Sequence, residues 1–403
     1  MLSPAPLAAP AQDSADPSSR PGGERVATQL GALLASVIAF GLAHSAYFLL
    51  PKYLAVELHA DAAQIGVYSS VTWFANVALV PLAGIWIDRH GRLPFACLGA
   101  AGLVLTCAAF LAVDSLGPLL FALRVTHGFA FTFFFVATQT LAADLARPEH
   151  LGRVLGYYGS GFVMTNAIAP ALAEWLADRA GWGWVFGVTA LLALVSLGLL
   201  ALVREHRTVH ADGAAGVTGI RTTLARPGFA RVLAVAALAG VAFAAAFTFH
   251  QPFALSLGIT RVSDFLVAYS IAAVVVRGPF GSLADRAGRM RVTGFALAAY
   301  ALASFASTRL ESLGLVAAGA LFGVAHGLFY PALNAAALTS ASPDVRAKVT
   351  GLFNGGFNTG FSLGSIGLGY VALGFGYPLV FVVAGVCSLA ALALVIGRAP
   401  GEE

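Results

Sequence analysis

The 403-residue chain is 59% hydrophobic and only 10% charged, with a mean hydropathy of +0.83, whereas about a quarter of the residues of a soluble domain are charged. This composition excludes a soluble fold, and a formal charge of +4 set in so apolar a chain is no sign of nucleic-acid binding. A bilayer core takes about 20 apolar residues per helix, so the length accommodates about a dozen spans.

Residues 1–24 are rich in Pro, Ala and Ser and have neither a basic start nor an apolar h-region. They are expected to form a disordered cytoplasmic tail rather than a signal peptide. Apolar runs then predict spans at 27–50, 62–87, 93–113, 117–143, 153–177 and 183–203, and, after a polar stretch, at 230–255, 264–284, 292–308, 312–339, 349–372 and 377–397. The expected fold is an all-α integral membrane protein with twelve transmembrane helices in two pseudo-symmetric halves around a central cavity. Its N-terminal half covers 25–203, a cytoplasmic linker 204–228, the C-terminal half 229–398 and a short cytoplasmic tail 399–403. Of the 23 Lys and Arg, 17 fall in the tails, the linker and the even-numbered connections. The opposite face has Lys52, Arg179, Arg261 and Arg309, and Arg124 and Arg277 lie inside spans. By the positive-inside rule both termini are expected in the cytoplasm.

One short signature occurs twice, as Gly84-Ile-Trp-Ile-Asp88-Arg89-His-Gly91-Arg92 after span two and as Gly281-Ser-Leu-Ala-Asp285-Arg286-Ala-Gly288-Arg289 after span eight. Both read G-x-x-x-D-R-x-G-R, and the aspartates are 197 residues apart. The repeat extends further: Arg124-Val-Thr-His127-Gly128 in span four aligns with Gly323-Val-Ala-His326-Gly327 in span ten, and Pro51 and Pro252 are expected to close spans one and seven. Parallel six-span repeats are an architecture in which a solute site lies between two rocking halves. Cys97, Cys107 and Cys387 are all inside spans with no Cys-x-x-Cys pair, which argues against disulfides or a metal site and for apolar packing.

These residues resemble the major facilitator superfamily across all the predicted spans. The two signatures match the family's cytoplasmic loop motif and its pseudo-repeat, and Arg124-x-x-His127-Gly128 is similar to its fourth-span Arg-x-x-Gln-Gly pattern with His for Gln. In that family the signature arginine, here Arg89, pairs with an acid at the end of span four, here Asp144, so the resemblance implies a conformational latch. The latch set comprises Gly84, Asp88, Arg89, Arg92 and Asp144, with Gly281, Asp285, Arg286 and Arg289 in the second copy. Physically, the glycines remove side chains where a neighbouring helix can approach, and the aspartates can face a helix N-terminus. The antiporter pattern of span five is degraded: Ala169-Pro170 keeps the proline while glycines are lost around it. In span eleven Gly356, Gly360 and Gly364 form a ladder expected to allow close packing.

Ionisable groups inside a span are costly and so are functional candidates. No Asp or Glu lies in the middle of a predicted span; Arg124, Arg277, His44, His127, His250 and His326 do lie inside. Arg124 is a candidate for substrate binding or coupling, and Arg277 for the same role or for snorkelling to the interface. His127 and His326 occupy equivalent positions and are candidates for proton coupling; His44 and His250 are candidates of the same kind. His326, Tyr330 and Asn334 recur every four residues and predict a polar stripe, with Phe131, Phe134, Phe135 and Phe329 as apolar walls.

The leading functional expectation is proton-coupled efflux of a small organic solute by alternating access across the plasma (inner) membrane. An alternative is an uptake carrier or facilitator for an anionic metabolite, because arginine and histidine without carboxylates favour anions; another is a transporter-like receptor or scaffold without flux. The expected partners are the lipid bilayer, an anionic or neutral small solute and protons. The chain has no P-loop, G-x-S-x-G or H-E-x-x-H, so no catalytic residues, metal or cofactor are expected.

Overall fold

The computed structural model describes residues 21–147, 150–205, 228–280, 286–339 and 346–397. Gly281 and Asp285, together with most of the expected linker and the outer parts of both tails, lie outside the described residues. Every element among the described residues is helical.

Helix α1 (Pro21–Ser45) continues through a 3-10 turn (Ala46–Leu49) into Leu50–Val56. The others of the N-terminal half of the chain are α2 (Ala62–His90), α3 (Arg92–Ala109), α4 (Pro118–Leu145), α5 (Leu151–Ala180) and α6 (Trp182–Leu200). In the second half, α7 (Phe229–Ala244) passes through a π-helical turn (Ala245–Phe249) into His250–Ser256. It is followed by α8 (Ser263–Phe280), α9 (Arg289–Ala306), α10 (Ser312–Leu338), α11 (Arg346–Phe375) and α12 (Tyr377–Ile396). Eight of these stretches are long and apolar enough to cross a bilayer, or nine with α2, whose two parts meet at 54°. That bend falls at Pro81, which has no N–H to give to the preceding turn.

Pro51 and Pro252 do not close their helices as expected. Each sits just after an irregular turn, 3-10 in α1 and π in α7, and the helix resumes for several residues. The ring removes one ladder hydrogen bond, and the chain accommodates this by rewinding locally rather than by stopping.

Local signals set the helix starts. Asp61 accepts from the Gln64 N–H at 2.8 Å while the Gln64 side chain accepts from the Asp61 N–H at 2.9 Å, a reciprocal cap opening α2. The glycine before the last arginine of each signature has positive φ, +101° at Gly91 and +94° at Gly288. A left-handed residue there lets one helix end and the next begin within a single position.

Buried apolar side chains divide along the chain. One cluster is drawn wholly from residues 32–203, including Leu33, Phe40, Phe110 and Phe134. A second runs from Val235 to Val395 and takes in a few residues of the first part, such as Ala169 and Ala173. Where the two parts meet, α2 packs on α11 and α5 on α8. A small residue permits the first of these approaches, since a Cβ on Gly369 would stand 2.7 Å from the Ala62 carbonyl; within the second part, one on Gly364 would lie 2.9 Å from Val241 Cα in α7. Leu105, Trp184, Val275 and Phe295 stand exposed, an apolar surface far more extensive than water-soluble monomers present.

Candidate functional site

A cavity of about 1100 Å³ lies between the two parts of the chain, lined from α1, α2, α4 and α5 on one side and α7, α8, α10 and α11 on the other. Gly84, Ile85, Asp88 and Lys348 line its mouth at the face that carries the first signature. Its walls are aromatic, with Trp73, Phe131, Phe135, Phe243 and Phe361 among them. Phe134 and Phe329, expected as walls, are instead fully buried in the two cores.

The far end is shut by a polar cluster that the sequence reading did not identify. Lys52, at the end of α1, donates to Glu174 of α5 at 2.8 Å, to Asp178 at 3.1 Å and to the Thr260 carbonyl at 3.2 Å. Glu174 also accepts from the backbone N–H groups of Val262 at 3.0 Å and Ser263 at 2.9 Å. The side chains of Lys52 and Glu174 are 7% and 5% exposed. Gln251 of α7 donates to the Phe48 carbonyl at 2.6 Å and accepts from the Lys52 N–H at 3.3 Å. Glu174 lies near the end of its predicted span, where an acid ordinarily reaches water. Its pairing depends on a lysine 122 residues away. The one local signal is the acidic Glu174/Asp178 pair at i,i+4 spacing, which puts both on one helix face.

At mid-height, Arg124 lines the cavity yet is only 5% exposed. Its Nε donates to the Tyr68 carbonyl at 3.1 Å, and its Nη1 lies 3.3 Å from His127 Nδ1. Guanidinium can only donate, so His127 Nδ1 is the acceptor and its proton is on Nε2. That N–H therefore donates to His44 Nδ1, 2.9 Å away. The chain of bonds thus runs Arg124 to His127 to His44, and His44 lines the cavity, stacked on Phe131 with ring centroids 4.4 Å apart.

His326 has a different setting despite its equivalent sequence position. Its Nδ1 pairs with the Tyr300 hydroxyl at 2.6 Å, and its ring lies 4.7 Å from that of Phe243 in the cavity wall. Tyr330 also lines the cavity and donates to Asn354 Oδ1 of α11. The stripe ends there: Asn334 does not line the cavity, and its Oδ1 is buried without a partner among the described residues. Arg277 lines the cavity rather than reaching only for the interface, and makes no hydrogen bond or ion pair among the described residues, its Nε being buried. His250 leaves the candidate set. It is fully buried away from the cavity, with Nδ1 3.0 Å from the Ala246 carbonyl and Nε2 2.8 Å from the Ser307 hydroxyl. Both nitrogens are satisfied, so its role is packing.

The first signature also needs correction. Asp144 pairs with Arg92 at 3.2 Å, not with Arg89, which is exposed. The single-residue turn at Gly91 points Arg92 from the first turn of α3 toward the end of α4, where Asp144 lies. Glu205, unsuspected from sequence, accepts from the N–H groups of Arg92 at 2.8 Å and Leu93 at 3.0 Å and so caps α3. In the second copy Arg289 acts alike, donating at 2.9 Å to both the Ala335 carbonyl and Thr339 Oγ1 near the end of α10. Asp88, Arg89 and Arg286 are exposed. A Cβ on Gly84 would meet nothing within 4 Å, so the close approach expected there is absent in this arrangement, in which Gly84 faces the cavity at this end of α2.

The sequence pattern of the Major Facilitator Superfamily matches residues 32–266 and 253–403. The chain belongs to the Major Facilitator Superfamily. It is therefore a multi-pass membrane transporter by family. A stretch of 193 residues, 45% of the chain, is 26% identical to multidrug export protein EmrB of Haemophilus influenzae, and spans 38% of that protein. An uncharacterised transporter of the same type from Salmonella typhimurium is 23% identical over 355 residues, covering 86% of this chain and 90% of the relative. Among solved structures, a point mutant of the nucleoside transporter NupG superposes with a TM-score of 0.79 at 17% identity, over 92% of this chain and 99% of that one. A bacterial homologue of the human lysosomal transporter Spinster, described as inward-facing and unoccupied, gives 0.72 at 15% identity, over 94% and 95%. At these identities the two structures establish the fold.

Proposed function

We propose that the protein is a secondary active transporter that exports a small organic solute across the inner (plasma) membrane by alternating access in exchange for protons. The observation that carries this reading is a cavity open at the signature face and shut at the far face by a small set of polar contacts between α1 and α5 on one side and the α7–α8 region on the other. Such contacts can break and re-form as two packed units rock. The reading takes twelve spans in two six-helix halves joined by 204–228, with both termini in the cytoplasm. The bias of Lys and Arg and the division of the apolar core support it. Export is favoured by the similarity to multidrug export protein EmrB and, over 168 residues at 24% identity, to multidrug resistance protein 3 of Bacillus subtilis.

Proton coupling draws on the Arg124–His127–His44 chain. A proton added to His127 Nδ1 breaks its bond with Arg124, because two donors cannot face each other. Arg124 then shifts, and with it the bond to the Tyr68 carbonyl of α2. At the signature face, Asp88 and Arg89 of one half and Arg286 of the other are assigned to contacts that form when the mouth closes, and Gly84 leaves room for the opposing helix.

The test is flux in proteoliposomes with an imposed pH gradient, using anionic, neutral and cationic solutes. Uphill movement driven by the gradient is expected for at least one class. Downhill flux indifferent to pH would replace exchange by facilitated passage. Flux driven toward the side of the termini would replace export by uptake, and no flux from folded protein would leave the scaffold reading.

A further inference from the structure

Resting on the cavity as the solute site, we propose that Arg277 is the anchor for a carboxylate on a solute with an aromatic body. Tyr269, Ala273 and Arg277 recur every four residues on α8 and all line the cavity, so the arginine stands on its cavity face. Its height is fixed by glycine contacts between neighbouring helices. A Cβ on Gly323 would touch Tyr269 and Ala272, and one on Gly327 would meet Val276 and lie 3.0 Å from the Ala273 carbonyl. The register between α8 and α10 is therefore constant, and Arg277 is level with the turn of α10 that holds Tyr330.

That wall offers donors and no carboxylate. Tyr330 gives its O–H to Asn354 Oδ1, which leaves the Asn354 amide N–H groups as donors. Lys348 adds a further cation at the mouth, and Asp88, at the mouth on α2, is the one acid among the described lining residues. The two arginines are not equivalent. Arg124 is committed to Tyr68 and His127, whereas Arg277 has no counter-charge among the described residues and a buried Nε without an acceptor. A guanidinium at membrane depth is stable only when its donors are satisfied, and its planar fork fits a carboxylate through two parallel bonds. About two turns of α8 from Arg277, level with Tyr269, Phe243 stacks on Phe247 at 4.1 Å and contacts Phe357 at 5.4 Å, while Trp73 and Phe361 face each other at 5.6 Å across α2 and α11. This gives an apolar slot suited to a flat ring.

The full chain, purified, is titrated with 2-naphthoate and phenylacetate and with their neutral amides and the corresponding amines. Binding is read by quenching of tryptophan fluorescence, with Trp73→Phe reporting whether the signal comes from the cavity, and by thermal stabilisation. An acid is expected to bind at least about tenfold more tightly than its amide, with Arg277→Gln abolishing that preference and Arg277→Lys restoring part of it. Thermal unfolding of each variant separates lost binding from lost fold, and Arg277→Lys provides the second arm if Arg277→Gln does not fold. Equal binding of acids, amides and amines, binding of no acid, or an acid preference that survives Arg277→Gln would overturn the proposal. Flux distinguishes it from the transport reading: neutral or cationic solutes carried normally by the parent and by Arg277→Gln, with acids not bound, would sink the carboxylate anchor alone. Acids that bind through Arg277 but do not cross would sink transport alone.

Discussion

Replacing Glu174 by Gln should open the far face. In the described arrangement the carboxylate accepts two backbone N–H groups across the interface, from Val262 at 3.0 Å and Ser263 at 2.9 Å, while holding Lys52 at 2.8 Å. Hydrogen bonds to a charged group contribute about 1.5–3 kcal/mol each, and a neutral one about 1 kcal/mol. An amide keeps one acceptor oxygen and turns its NH2 toward the other donor, so the closed seal loses about 3 kcal/mol. That is roughly a hundredfold in the ratio of sealed to open states. The Lys52–Glu174 pair joins α1 to α5 within one part of the chain and can persist when the face opens, so the loss falls mainly on the sealed state. The measurement is the labelling rate of Ser69→Cys, on the cavity wall, by a membrane-impermeant maleimide applied from the far face, with Cys97, Cys107 and Cys387 replaced by Ser. A rise of about two powers of ten is expected. A rate little different from that of the parent, from protein that is folded and inserted, would refute the assignment of this cluster as the seal.

Arg92→Ala and Asp144→Ala should each impair transport and should be non-additive by about 0.5–1 kcal/mol in a double-mutant cycle, since they share one partly exposed ion pair at 3.2 Å; additivity would remove the pairing. Gly364→Ala places a Cβ 2.9 Å from Val241 Cα and should cost about 1–3 kcal/mol through overpacking, read as a fall in Tm; an unchanged Tm would mean that α7 and α11 are not held at this distance. His127→Gln should weaken the pH dependence of flux more than it weakens solute binding, and the double variant with His326→Gln should abolish uphill transport driven by a pH gradient. Retained pH-driven accumulation would move the proton site away from both histidines.

Much of the architecture was legible because it depends on neighbours in sequence. Apolar runs about a bilayer long mark the helices, and the duplicated G-x-x-x-D-R-x-G-R marks the turns, where Gly91 and Gly288 have the left-handed backbone that only glycine adopts freely. The span-eleven ladder was legible as close packing, and Gly360 and Gly364 do abut α7. Arg124, His44, His127, His326, Tyr330 and Arg277 could be singled out because a charge or polar ring inside an apolar run has no cheap alternative to a polar partner or a cavity.

Tertiary structure decided which of those groups are already spent. His127 and His326 have equivalent places in the repeat, yet one is bonded to Arg124 and His44 and the other to Tyr300. His44 and Tyr300 come from other helices, and no spacing along one helix encodes them. The same reason explains His250, which sequence offered as a candidate and packing satisfied on both nitrogens. It explains Arg92 taking the acid expected for Arg89, because the glycine turn sets the direction of the side chain. It explains the seal as well, since Lys52, Glu174 and the Val262 and Ser263 N–H groups are distant in sequence and meet only where two separately packed sets of helices touch. Sequence determined which residues prefer lipid, turn or polar company; only the packing of helix against helix decided which polar groups found partners in the protein and which were left facing the cavity.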